Sequence, residues 1–228
     1  MIQILLAIAA QIPPMTVPTA PVPTVLGTEA LPVGDGSAVI ARSATMDRVA
    51  GWIAASRDNG GLPYVIVDKT SASLGLFDAS GKPIADVPVL VGIAVGDEAT
   101  PGIGAKNLAE IGPAEKTTPA GRFRARFGLA AGRQRVLWVD YALSVAIHPI
   151  PPKADKREQR RVRLLSPVPD DNRITFGCIN VASAFYRTRL RPLFRKKGGY
   201  VYVLPDTRPL ESVFPRLRVH ELAQGKAP

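Results

Sequence analysis

The chain predicts a mostly β protein with one helix ahead of the sheet and one short helix late within it. Three observations carry this expectation. From Tyr64 onward, short runs rich in Val, Ile, Leu, Tyr and Phe are separated by turn residues, the texture of strands on a pleated, half-buried surface. Residues 122–127 alternate Arg with Phe, Ala and Phe, a period of two that belongs to a strand with one buried and one wet face. Helix is expected only near residues 46–53 and 183–191, apart from one charged segment taken up below. With 228 residues and 46% hydrophobic content, the chain can bury one good core.

Ile2 to Ala10 is apolar apart from Gln3 and closes on Ala7-Ile8-Ala9-Ala10. That is the small-residue ending of a signal-peptidase site on a segment too short to span a bilayer. Residues 1–10 are therefore expected to be a signal peptide lacking the usual basic start; the alternative is an apolar N-terminal strand. No integral membrane segment is expected after its removal. Residues 11–35, with Pro13, Pro14, Pro18, Pro21, Pro23 and Pro32, read as a linker. In residues 36–62, Met46, Val49, Ala50 and Ile53 recur at helical spacing. Ser43 or Thr45 can cap this helix and Asn59-Gly60-Gly61 can stop it. Strands are then expected at Tyr64–Val67, Leu74–Phe77, Ile84–Val91, Arg122–Phe127, Val136–Val139, Ser144–His148 and Tyr200–Leu204, with the short helix at about Ser183–Arg191. Residues 63–204 form the expected domain, and 205–228 a polar tail that contains His220.

Cys178, in Ile174-Thr175-Phe176-Gly177-Cys178-Ile179-Asn180-Val181, is the only cysteine. A lone thiol in an oxidising compartment has no internal disulfide partner. It can be a small buried hydrophobe or a nucleophile, and as a nucleophile it needs a base or a positive charge nearby. His148 is the candidate base, because it ends an apolar strand that can present the imidazole at a cleft. It can equally be a satisfied core histidine, Asn180 a helix N-cap and Thr175 an ordinary strand residue.

His148 and the segment Thr175, Phe176, Gly177, Cys178, Ile179, Asn180 resemble the L,D-transpeptidase (YkuD-type) catalytic domain. That family has an upstream His followed by Ser/Thr-His-Gly-Cys-hydrophobic-Asn/Arg, so Phe176 stands where its second His usually lies. Thr117-Thr118-Pro119-Ala120-Gly121-Arg122-Phe123 resembles the family's Thr-Pro-x-Gly-x-Phe turn, and Val65-Ile66-Val67-Asp68-Lys69 its early strand. The resemblance covers residues 63–204 and implies a β-sandwich with a short helix next to the nucleophile. It implies a periplasmic cysteine acyltransferase that crosslinks peptidoglycan stem peptides through a thioester. Cys178 would attack, His148 would act as base, the carbonyl of Pro149 would orient it, and N–H groups at Gly177 and Cys178 would hold the oxyanion. Thr175, Phe176 and Asn180 are placed at the substrate. The donor bond, including one near the L-Ala end of the stem, stays open. So do hydrolysis and a noncatalytic peptidoglycan-binding role.

Between His148 and Thr175 lies a longer connection than the family usually has. Its stretch 153–163 carries Lys153, Lys156, Arg157, Arg160, Arg161 and Arg163 against Asp155 and Glu158. A short charged helix is expected there, either a solvated decoration or a cover whose Arg157, Arg160 and Arg161 pair with stem-peptide carboxylates. The net charge of +10 suits any acidic partner. Without zinc-finger spacing, a Walker loop or an arginine-aromatic repeat, nucleic acid is not expected. Two histidines and one cysteine do not make a zinc site, so neither metal nor cofactor is expected.

Overall fold

The computed structural model describes residues 40–130 and 134–225; the expected signal peptide (1–10) and linker (11–35) lie outside the described residues. Helix α1 (Ala44–Ser56) starts where the sequence places it, with Ser43 capping the N–H of Met46. Strands β1 (Tyr64–Asp68), β2 (Ser73–Phe77), β3 (Pro83–Pro88) and β4 (Val91–Gly92) follow, then β5 (Gly121–Leu129), β6 (Arg135–Asp140) and β7 (Val145–Pro149). The connection after β7 holds α2 (Pro152–Glu158) and α3 (Arg160–Leu164). The chain then runs through β8 (Arg173–Thr175) and β9 (Ile179–Val181) into a helix, α4 (Ser183–Phe185) continuing as a π turn (Tyr186–Leu190) into α5 (Arg191–Phe194). It ends with β10 (Gly199–Val203), α6 (Leu210–Val213) and α7 (Pro215–Ala223).

Eight strands form one sheet in the order β3-β2-β1-β10-β5-β6-β7-β9, and β4 pairs with β8 in a small second sheet. The sandwich arises because β5 belongs to both halves. Its residues Gly121–Ala125 pair with β10, while Arg126–Leu129 pair with β6. The two halves close on a core that includes Val65, Val67, Leu137, Ile147, Ile179, Val201 and Val203, with Phe185, Leu190 and Phe194 of the late helix inserted among them. Pro192 cannot donate to Thr188, and its ring would crowd that carbonyl in a regular helix; the wide π turn that contains Thr188 relieves the conflict.

The unbroken apolar run of β1 has a simple cause, since both its faces are covered. Val65 and Val67 face the sandwich core, whereas Tyr64 and Ile66 join a second core with Met46, Val49, Trp52 and Ile53 of α1. Each such aliphatic side chain contributes about 1.5–3 kcal/mol by leaving water. Phe214 and Leu217 complete the second core, so residues expected to be a polar tail instead pack on α1. The arginines of β5 do lie outward but are not idle. Arg122 pairs with Asp58 and covers the Tyr200 ring, and Arg124 donates to the carbonyls of Lys197 and Gly199. Among the described residues no helix is long and apolar enough to cross a membrane.

Candidate active site around Cys178 and His148

Strand alternation decides which side chains meet. On β7, Val145 and Ile147 point into the core, and on β9 Ile179 and Val181 do the same. Ala146, His148, Cys178 and Asn180 therefore share the opposite face. The two strands run parallel with His148 directly beside Asn180. Cys178, one residue ahead of β9, is thus diagonal to His148 on that face.

The nucleophile loop is braced from two directions. The Thr175 hydroxyl accepts the Gly177 N–H at 3.2 Å and donates to the Cys178 carbonyl at 2.5 Å. Gly177 has φ +119°, and a Cβ there would come within 2.7 Å of the Thr117 carbonyl oxygen; this is a position for glycine alone. The Thr118 hydroxyl donates to the Gly177 carbonyl at 2.9 Å and accepts the Gly92 N–H at 2.9 Å. The Thr118 carbonyl in turn takes a hydrogen bond from buried Lys69, which also donates to Gly96 O and Asp97. The three separate stretches of family resemblance are therefore one connected scaffold, from Lys69 through Thr118 to Gly177.

Cys178 is part-buried, and its Sγ lies 3.5 Å from the Ser144 carbonyl. Burial pushes the thiol above its ordinary value, against the opposing pull of the Ala146 N–H and the Arg160 charge. Burial likewise holds His148 below its ordinary value; the hydrogen bond to Pro149 works the other way, and Arg160 adds to the fall. The thiol is thus not depressed by the imidazole as expected of a standing thiolate. With the thiol raised and the imidazole lowered, both groups rest uncharged at neutral pH.

His148 Nδ1 lies 2.9 Å from the Pro149 carbonyl oxygen. A carbonyl only accepts, so Nδ1 carries the proton and Nε2 the lone pair. Asn180 Nδ2 sits 3.3 Å from that Nε2 and 3.5 Å from Nδ1, so the amide lies over the imidazole face, and Asn180 Oδ1 accepts from Arg160 Nη1 at 2.7 Å.

Several expected roles change. Thr175 (2% exposed) and Asn180 (0%) are buried and bond to protein groups, not at a surface open to substrate. The Gly177 N–H is taken by Thr175 in this resting arrangement, not presented to an oxyanion. The charged connection is two helices broken at Gln159, whose φ is +51°, where one was expected. That break separates its arginines. Arg157 and Arg161 remain mostly exposed and pair with Glu158 and Asp155, whereas Arg160 is buried and pairs with Glu158 as well as Asn180. Phe176 is exposed, with the Lys116 ammonium 3.9 Å from its ring centre. Thr118 was legible only as a turn residue, and the Ser144 carbonyl left no mark in the sequence. Among the described residues no three His, Cys, Asp or Glu side chains gather as a metal site would require.

No family model matches the chain, and no curated protein matches it. Solved structures are similar at low identity. The catalytic domain of the E. faecium L,D-transpeptidase is 17% identical with a TM-score of 0.38, over 62% of this chain and 96% of that one. The L,D-transpeptidase of Xylanimonas cellulosilytica is 14% identical (TM-score 0.38), over 62% of this chain and 60% of that one. The helical cell shape determining protein Pgp2 of Campylobacter jejuni is 15% identical (TM-score 0.42), over 72% of this chain and 57% of that one.

Proposed function

We propose that this protein is a periplasmic cysteine acyltransferase of the L,D-transpeptidase type, acting on the stem peptides of peptidoglycan. The observation that carries the proposal is the imidazole of His148, held by the Pro149 carbonyl with its Nε2 lone pair on the strand face that also presents Cys178. An unprotonated nitrogen on the nucleophile's face is the first thing a general base requires. Because thiol and imidazole both rest neutral, attack is coupled to proton transfer: the sulfur bonds to the substrate carbonyl carbon as Nε2 takes the S–H proton. Collapse to the thioester returns that proton to the departing amine. An acceptor amine then releases the acyl group by the same steps in reverse, and water in its place gives hydrolysis. Phe176 offers an exposed apolar ring beside the nucleophile loop to shape a subsite, and Arg157 and Arg161 offer charge to stem-peptide carboxylates.

The test is conversion of purified muropeptides followed by mass spectrometry, comparing the wild type with Cys178→Ser. Crosslinked or trimmed product from the wild type alone is expected, and equal product from both would refute the proposal. A second reading, a noncatalytic domain that binds stem peptides, is favoured by one pair of contacts. The Asn180 amide covers the face of the His148 ring, and the sulfur lies 3.5 Å from the Ser144 carbonyl. Muropeptide binding without turnover would establish it.

A further inference from the structure

Two stretches of the chain are one-sided in charge. No Asp or Glu occurs between Glu115 and Asp140 or between Asp171 and Asp206, and the fold brings parts of both together beside β5, β6 and the late helix. One cavity there, of about 290 Å³, is lined by Phe127, Arg135, Arg187, Arg191, Pro192 and Arg195. A second, of about 400 Å³, shares Phe127, Arg135 and Arg195 and adds Arg126, Lys196 and Lys197, so the two adjoin as one groove. These arginines and lysines are exposed, and no carboxylate lines either cavity. Elsewhere the chain sets acids against its surface arginines, Asp58 against Arg122, Glu158 against Arg157 and Asp155 against Arg161. The groove is also braced. The Tyr186 hydroxyl donates to the Arg135 carbonyl at 2.9 Å while its ring meets Phe127 edge-on, and Arg124 donates to the carbonyls of Lys197 and Gly199 at 2.7 and 2.8 Å.

Part of this charge has a local explanation. Arg195, Lys196 and Lys197 follow the end of the late helix, where cations complement the helix dipole. Arg187 and Arg191 do not share it. They lie four residues apart, with Arg195 four further on, a spacing at which like charges repel along a helix face, and Arg135 joins that row across the cavity from β6. An anion in the groove would offset the repulsion. Guanidinium forks suit carboxylate and phosphate alike, but four of them around so small a cavity call for dense negative charge. A phosphomonoester carries about −1.5 to −2, nearly twice a carboxylate. We propose that this groove binds a phosphorylated saccharide, with its phosphate groups between Arg135 and the row Arg187, Arg191 and Arg195, and its ring against Phe127, the side chain common to both cavities. A concave site admits a compact molecule of this kind and excludes the flat face of a bilayer. The proposal does not rest on the chemistry assigned to Cys178 and His148.

The test titrates the full chain by calorimetry, at about 0.15 M salt, with glucose 1,6-bisphosphate, with citrate as a polycarboxylate, and with phosphatidylglycerol vesicles. Saturable binding of the bisphosphate, tighter than that of citrate and without vesicle binding, is expected. Arg135→Gln combined with Arg191→Gln should weaken it at least about tenfold. Arg187→Gln combined with Arg195→Gln should do the same. Lys82→Gln combined with Lys153→Gln removes as much charge from exposed positions outside the groove, and should change the affinity less than about threefold. The side chains replaced are all exposed, so each variant should fold, and Tm without ligand should stay level or rise as the repulsion along the helix is relieved. Absence of saturable binding, an equal loss in the Lys82 and Lys153 variant, or citrate or vesicles binding as tightly as the bisphosphate overturns the proposal.

Discussion

Replacing Lys69 by Met tests whether the scaffold beneath the nucleophile loop is held by one buried charge. Lys69 is 1% exposed, and its ammonium donates to Gly96 O, Asp97 Oδ1 and Thr118 O at 2.5, 2.9 and 3.0 Å, with Asp206 Oδ2 at 3.4 Å. A methionine of similar length leaves two buried carbonyls without this donor, at about 1–3 kcal/mol each, and two carboxylates without their cation. The carboxylates keep other partners: Asp97 accepts the N–H groups of Asp206, Thr207 and Arg208, and Asp206 pairs with Arg173. The expected loss is therefore about 3 kcal/mol, the low end of the range for breaking a buried pair, or about 6–12 °C in Tm. Its pH dependence is specific. Burial works against the Asp97 carboxylate, but the Asp206 N–H, Lys69 and the Thr207 and Arg208 N–H groups together hold it well below the usual range. A depressed carboxylate stabilises the fold above its unfolded value of about 3.9, and that contribution fades as pH falls toward the folded value. Without Lys69 the contribution shrinks, so wild type and variant should differ most at pH 7 and start to converge only as pH falls below about 4, toward the depressed folded value of Asp97. Urea unfolding across this range measures both. A loss under about 1 kcal/mol at pH 7, the size of an exposed pair, or a difference independent of pH, would refute the reasoning.

Three further outcomes are expected. Because burial raises the Cys178 thiol, its alkylation by iodoacetamide should be slow at pH 7 and still climbing above pH 9; a plateau below pH 8 would mean a standing thiolate. Gly177→Ala should cost about 2–3 kcal/mol in denaturant unfolding, from its φ of +119° and the 2.7 Å approach to the Thr117 carbonyl. Gly61→Ala, at φ +68° with nothing within 4 Å, should cost about 1 kcal/mol, and equal losses would contradict the close approach. Neutralising Arg157 and Arg161 together to Gln should leave Tm nearly unchanged, since both are mostly exposed, and should raise KM for muropeptides at low salt without altering thiol alkylation. Unchanged KM at low and high salt would make these arginines solvated surface.

Local pattern alone determined most strands of the large sheet, but not β8 or β9, and it read Ile84–Val91 as one strand where β3 ends at Pro88 and β4 starts at Val91 in the second sheet. The continuous apolar run 64–67 and the alternation at 122–127 each state a period and a degree of burial that neighbouring residues suffice to impose. Cys178 and His148 were legible for a different reason: few residue types carry this chemistry, and each is rare in this chain. Tertiary structure decided what pattern cannot express. His148 meets Asn180 only because β7 and β9, separated by the long connection, pair in parallel at one register. Residues 205–228 read as polar tail because apolar residues are sparse there, and of them Phe214 and Leu217 join the core once α1 supplies the opposing face. Arg157, Arg160 and Arg161 are equivalent as letters in a basic run. The backbone reversal at Gln159 turns one of them inward, where a carboxylate and an amide oxygen compensate its charge, and leaves the other two in water. Which arginine a protein buries depends on where partners wait across the fold, and those partners lie on other elements.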